Sequence, residues 1–128
     1  MAAWKGKLDT VAITAAGVSD TVATIPIVEG CTNLWVEIEN AAHKALDKFY
    51  VWIKPHSDAS FHLIANAASD YSTQMQLPIK GCSQQFMTLA KSTAGLMWLD
   101  VKGLNQVKLT ASSTTGSDTT VDVKWQMR

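Results

Sequence analysis

The C-terminal stretch from Val101 to Arg128 has the clearest pattern in the chain, because apolar residues occupy every second position on both sides of a polar segment. A repeat of two residues is typical of a β-strand with one buried and one solvated face. The sequence therefore predicts a strand, a polar turn and a second strand, with GSDTT at 116–120 forming a hairpin turn. The apolar positions are Val107, Leu109 and Ala111 before the turn, and Val121, Val123, Trp125 and Met127 after it.

The same alternation recurs along the chain, and no segment keeps a helical repeat for three turns. We predict an all-β, two-sheet β-sandwich, jelly-roll-like, with 8–10 short antiparallel strands in a single domain over 1–128. A short N-terminal arm takes up about 1–7, residues 41–48 form a hairpin loop, and Pro26 marks a strand edge or end. The predicted strands are 8–15, 20–28, 33–39, 49–54, 60–65, a weak one at 74–79, then 86–90 and 96–101.

Charge and composition exclude several classes of partner. Eleven basic residues balance eleven acidic ones, and no basic run is present, so we expect no binding to nucleic acid or to anionic membranes. No apolar run approaches the ~20 residues of a membrane span. The N-terminal MAAWKGKLDT lacks the apolar core of a signal peptide, which predicts synthesis in a cytoplasm and reduced thiols at Cys31 and Cys82.

The surface is expected to be small and neutral. Charged residues make up 17% of the chain, below the usual ~25%, whereas Ala, Thr and Ser number 16, 13 and 10. Such a surface loses little side-chain entropy and little hydration when another protein covers it. This composition favours packing against other subunits.

Candidate catalytic groups are sparse. His56, Asp58 and His62 lie close together in PHSDASFH, and two histidines with a carboxylate can bind zinc or iron if they converge. The turn-forming residues around His56 favour solvated histidines instead. No nucleophile elbow, phosphate loop or dinucleotide motif occurs, so we predict no enzyme activity, no cofactor and no metal. A small cupin-like metal enzyme remains the alternative, and it requires His56, His62 and an acidic residue to meet.

The aromatic residues are the best candidates for contacts. Trp35, Tyr50 and Trp52 all fall on the strand face opposite the aliphatic row, where they can anchor a protein partner. If long loops cover both faces of the sandwich, the tryptophans fill core instead. An alternative is a carbohydrate-binding module, in which these three side chains form one flat exposed row. Trp98 and Trp125 are predicted to lie in the core. The predicted protein-contact residues are Trp4 in the arm, Trp35, Tyr50, Trp52, and Tyr71 within the irregular segment 66–85.

Two segments and the terminal Thr/Val strand carry a resemblance to a known group of proteins. They are VEIENAAHKALDKFYVWIKPHSDASFHLIA at 36–65 and GLMWLDVKGLNQVKLTAS at 95–112. Over about two-thirds of the chain, this order of elements resembles small structural proteins of tailed bacteriophages. The residues that match the strand-pair motif of this group are Trp98, Leu99, Asp100, Val101, Gly103, Leu104, Val107, Lys108, Leu109, Ala111 and Ser112.

The resemblance implies a jelly-roll decoration (cement) protein on the exterior of a virion capsid, made in the host cytoplasm. Its implied partners are the major capsid protein and itself, as a homodimer or homotrimer. A tail or neck component of the same virion is the alternative that the resemblance leaves open.

Overall fold

The computed structural model describes residues 4–13, 20–40, 46–65, 79–83, 92–113 and 119–128. Within these ranges the chain forms nine strands and two antiparallel sheets. The strands are β1 (Trp4–Ile13), β2 (Asp20–Pro26), β3 (Asn33–Asn40), β4 (Leu46–Lys54), β5 (His62–Ala65), β6 (Ile79–Cys82), β7 (Ala94–Asp100), β8 (Gln106–Ser113) and β9 (Thr119–Met127).

The strand order is that of a jelly roll. One sheet runs β1-β9-β3-β7-β6 and the other runs β2-β8-β4-β5. If edge strand β6 is left out, each sheet has four strands. Consecutive strands then alternate between the two sheets, except β4 and β5, which share one, as in the two Greek keys of a jelly roll. The predicted all-β, two-sheet architecture is therefore confirmed.

Alternation along each strand places the core between the sheets. Leu34, Val36 and Ile38 of β3 are fully buried, and Trp35, Glu37 and Glu39 between them are exposed. Val107, Leu109 and Ala111 face them from the other sheet, as the sequence predicts, and Val121, Val123 and Met127 complete this core. Burial of these aliphatic side chains, at roughly 25 cal/mol per Å² of apolar area, is the main force that holds the two sheets together.

Two predicted hairpins are wrong. β8 and β9 lie in different sheets, so they are not the two paired strands of a hairpin. β3 and β4 are likewise in different sheets, and β4 begins at Leu46, inside the predicted loop 41–48. Period-2 alternation fixes which side of a strand is buried, but it carries no information about the sheet to which the strand belongs.

The edges of the sheets also differ in part from expectation. β1 begins at Trp4 and pairs with β9 from there on, so residues 4–7 of the predicted arm belong to the sheet. β6 is a strand that the sequence pattern did not indicate beyond Ile79. Pro26 is the last residue of β2, an edge strand, as predicted. Residues 71–78 and the predicted strand 86–90 lie outside the described ranges.

One buried polar pair fastens the end of the core. Thr119, at the start of β9, donates its hydroxyl to the Oδ1 of Asn40, at the end of β3, over 3.0 Å. Both side chains are about 1% exposed, so each satisfies a polar atom that water does not reach.

Candidate functional site

The outer face of the five-stranded sheet exposes large apolar side chains. Trp35 of β3 lies directly opposite Trp98 of β7 on one side and Gln126 of β9 on the other. Trp35 and Leu96 are 36% and 37% exposed, in contrast to the fully buried residues beside them in the same strands. We call this surface the five-stranded face; its members are Lys5, Trp35, Glu37, Leu96, Trp98, Lys124 and Gln126.

The centre of the five-stranded face is a shallow, open depression of about 570 Å³. Trp35 and Leu96 give it an apolar floor, and Lys5, Glu37 and Lys124 border it. Glu37 lies between its cross-strand neighbours Leu96 and Lys124. An apolar centre with a rim of both charge signs is the arrangement found at protein–protein contacts.

Trp98 faces outward, which corrects its predicted place in the core. Its neighbours Met97 and Leu99 are fully buried. Trp98 points the other way, and it is half-buried rather than exposed because its ring lies over the backbone of Gly81 in edge strand β6. Trp125, predicted to be a core residue, does pack against the core, and its ring covers Gly6 of β1. A tryptophan on the neighbouring strand thus covers a glycine at each edge of this sheet.

The outer face of the four-stranded sheet carries a cluster of aromatic rings and lysines. The Nζ of Lys108 lies 5.0 Å from the ring centroid of Trp52 and 4.4 Å from that of Phe61. The Nζ of Lys54 lies 5.7 Å from the Phe61 centroid. Cation–π contacts of this kind hold the rings in place at ~0.5–1 kcal/mol each on an exposed surface. We call this surface the four-stranded face; its members are Tyr50, Trp52, Lys54, Phe61, Leu63, Lys108 and Thr110.

Trp52 is fixed more firmly than Trp35. Its indole N–H donates to the Oγ1 of Thr110 over 3.0 Å, and Thr110 is only 5% exposed. Trp52 therefore has its polar atom satisfied and one side covered by Lys108. Leu63, directly opposite Trp52 on β5, is 39% exposed and is the open apolar residue of this face.

The structure separates the predicted aromatic row. Trp35 lies on the five-stranded face, whereas Tyr50 and Trp52 lie on the four-stranded face, on the other side of the sandwich. The single flat row expected of a carbohydrate-binding module is therefore wrong. The side chain of Trp4 and the whole of Tyr71 lie outside the described part of the structure.

Sequence reasoning missed Leu63 and Leu96 as exposed residues. Leu96 lies on the outward-facing side of β7, because it alternates with the buried residues Met97 and Leu99. The sequence pattern could have indicated this once Met97 and Leu99 were assigned to the core. Leu63 was expected on one side with Phe61, and both do lie on the outer face, while half-buried Ile64 packs against the core. A bulge between Val51 and Trp52 in the pairing of β4 with β5 shifts this edge, and no local sequence pattern indicates it.

The histidine group of the metal hypothesis is solvent-exposed. His56 and Asp58 lie in a turn closed by a hydrogen bond from the Ala59 N–H to the His56 carbonyl, and His62 begins edge strand β5. Among the residues that the structure describes, no three His, Cys, Asp or Glu side chains come together in a way that would hold a metal ion. The same residues include no helix long and apolar enough to cross a membrane.

Both cysteines are free thiols, Cys31 in the loop before β3 and Cys82 at the end of β6. Cys31 is buried and Cys82 is half-buried. Burial raises the pKa of the Cys82 thiol above its ordinary value of 9.0, because the thiolate is poorly solvated there. A thiol held protonated in this way is a weak nucleophile.

Comparison with known proteins finds two remote structural similarities. No protein-family model and no curated protein matches the chain. The chain is similar to the crystal structure of SPBc2 prophage-derived protein YomS, with a TM-score of 0.47 and 15% identity over 96% of this chain and 95% of that chain. It is also similar to the structure of infectious bursal disease virus Gx strain, with a TM-score of 0.42 and 12% identity over 98% of this chain and 32% of that chain. At these TM-scores neither likeness supports an inference about function.

Proposed function

We propose that the chain is a non-enzymatic structural protein of a virion, and specifically a decoration protein that binds the major capsid protein on the outside of the shell. Its action is adhesion: many small contacts that hold neighbouring capsid subunits together. The observation that carries this proposal is the exposure of large apolar side chains on both outer faces of one small sandwich, Trp35 and Leu96 on one face and Leu63 on the other.

The exposed apolar groups lie on rigid elements. Each sits on a strand of an antiparallel sheet, and Trp52 beside Leu63 is held by Thr110 and Lys108. Large contiguous apolar patches on a protein surface mark sites of contact with a partner, and rigid aromatic anchors lose little entropy when they are covered. A pair of preformed adhesive faces supports a building part better than a catalyst.

The fold and the sequence add support. Jelly rolls occur in viral capsid domains, and also in lectins and cupins, so the topology alone does not choose among them. The separation of Trp35 from Tyr50 and Trp52 removes the flat sugar platform, and the exposed histidines do not converge. The bacteriophage-like segments at 36–65 and 95–112 favour the virion.

Co-sedimentation with capsids tests the proposal. The purified protein is mixed with empty heads and, separately, with tails of the phage that encodes it, each prepared from a strain lacking the gene. Saturable binding to heads, with a fixed number of copies per shell, supports a decoration protein. Binding to tails alone would move the protein to the tail or neck, and binding to neither would contradict a virion adhesin.

A matched pair of variants makes the test specific. Leu63→Asp places a charge on the four-stranded face, and Lys102→Asp places one in the turn after β7, where the side chain is also exposed. If the four-stranded face contacts the shell, Leu63→Asp reduces head binding at least tenfold and Lys102→Asp leaves it unchanged. Circular dichroism of both variants confirms that the sandwich is intact.

A further inference from the structure

We propose that the five-stranded face is the contact surface for a second copy of this chain, in a two-fold symmetric dimer. This inference rests on the proposed function, because it takes the same adhesive surface and names its partner. On this face Trp35, which is 36% exposed, and Leu96, which is 37% exposed, line the same shallow depression.

One pair of charges on this face is self-complementary. Glu37 and Lys124 lie directly opposite each other on β3 and β9. A two-fold axis that runs along the strands between β3 and β9 brings Glu37 of each copy over Lys124 of the other, and Trp35 over Gln126. Such an arrangement forms two equivalent ion pairs and places the two Trp35 side chains next to each other across the axis, as expected of a symmetric interface.

Symmetry favours this arrangement over stacking of unlike faces. The two outer faces lie on opposite sides of the sandwich, so packing one against the other would extend into an open-ended column. A contact of like faces closes after two copies. It also leaves the four-stranded face, with Leu63 exposed, available to the shell.

The state of the two faces points the same way. On the four-stranded face, Trp52 is half-buried, bonded to Thr110 and covered by Lys108. On the five-stranded face, Trp35 stands more open, at 36% exposure. Covering Trp35 therefore removes more apolar area from water than covering Trp52 does.

The dimer is expected to be weak in isolation. From ordinary strand spacing and rise, the five-stranded face measures roughly 20 by 25 Å, less than the ~800 Å² that each partner of a typical stable complex buries. The same two-fold axis also brings Glu39 toward Asp122 of the second copy, which opposes the contact. We expect a dissociation constant on the order of 10 µM for the free protein. The dimer is expected to be more stable when many copies are held close together on a shell.

Sedimentation equilibrium of the pure protein, over roughly 1 to 200 µM, tests the inference without any capsid. Wild type is expected to form dimers. Glu37→Lys and Lys124→Glu each place like charges face to face and are expected to weaken dimerisation at least tenfold, whereas an equimolar mixture of the two variants restores it. The variant Lys54→Glu/Lys108→Glu, altered only on the four-stranded face, is expected to dimerise like wild type once circular dichroism shows that it is folded.

Three results would overturn the inference. Wild type could remain monomeric throughout, the two reversed variants could fail to associate when mixed, or the Lys54→Glu/Lys108→Glu variant could lose association while folded. A monomer that still co-sediments with heads would remove the dimer and leave the proposed function standing. A dimer that ignores heads and tails would do the reverse.

Discussion

The indole ring of Trp98 lies directly over Gly81, so that a methyl group added at Gly81 would overlap the Cζ2 of the ring. The two residues face each other across β7 and β6, and the ring closes the outer side of an edge strand only four residues long. Glycine in a strand leaves the backbone bare, and an aromatic ring from the neighbouring strand covers it. The short strand β6 therefore depends on this contact.

Gly81→Ala is expected to lower the free energy of unfolding by about 1–3 kcal/mol, because the new methyl group must displace the Trp98 ring. Urea unfolding followed by circular dichroism measures the loss. In a Trp98→Ala background the same substitution meets open space and should cost less than about 0.5 kcal/mol. An equal cost in both backgrounds would show that the ring is not the cause.

Removing the acceptor of the Trp52 indole is predicted to loosen the four-stranded face. Thr110→Val keeps the shape and the strand preference of Thr110 but leaves the indole N–H without its 3.0 Å partner. Since Trp52 is half-buried and water can reach part of it, we expect a loss of about 1 kcal/mol. Thr24→Val, at an exposed strand position of β2, is the matched control and should change stability by less than about 0.5 kcal/mol.

The buried pair of Thr119 and Asn40 should be more sensitive. Thr119→Val removes the hydroxyl that donates to Asn40 Oδ1 where both side chains are about 1% exposed, so solvent does not compensate. We expect a loss of about 2 kcal/mol. Thr120→Val, the next residue of β9 and half-exposed on the outer face, is the control. Similar urea midpoints for the two variants would contradict the role of burial.

Strand positions and buried faces could be predicted because both are local properties of the sequence. The alternation of Leu34, Val36 and Ile38 with Trp35 and Glu37 fixes the inner row of β3 without knowledge of its neighbours, and the structure agrees. The outward parity of Trp35, Tyr50 and Trp52 followed from the same rule.

The pairing of the strands could not be predicted in this way. β8 and β9 alternate as two halves of a hairpin would, yet they pair with strands distant in sequence, β8 with β2 and β4 and β9 with β1 and β3. The contact of Trp98 with Gly81 shows the same limit, because Gly81 lies on β6, a strand that local patterning did not indicate beyond Ile79. Long-range register is set by packing between whole sheets.

The pH dependence of Cys82 gives a further test. Burial raises the pKa of its thiol above 9.0 in the folded protein, so the protonated thiol contributes its full stabilisation below pH 9.0, and this contribution is lost as pH rises through the folded pKa. The rate of alkylation by iodoacetamide, resolved at Cys82 by peptide mass spectrometry, should reach its half-maximum above pH 9.0. In urea the midpoint should fall back to the ordinary thiol value of 9.0. Equal midpoints with and without urea would contradict the burial of this thiol.

Replacing Trp35 separates folding from association. Because its ring is 36% exposed and lies outside the core row of β3, Trp35→Ala should change the free energy of unfolding by less than about 1 kcal/mol. If the ring is the central anchor of a dimer, the same change should raise the dissociation constant at least tenfold, the scale expected for a buried aromatic anchor. Leu63→Ala, which removes a similarly exposed apolar side chain from the opposite face, should leave dimerisation unchanged. Sedimentation equilibrium of both variants measures the two dissociation constants. A rise confined to Trp35→Ala assigns the dimer contact to the five-stranded face, whereas an equal rise in both variants would contradict that assignment.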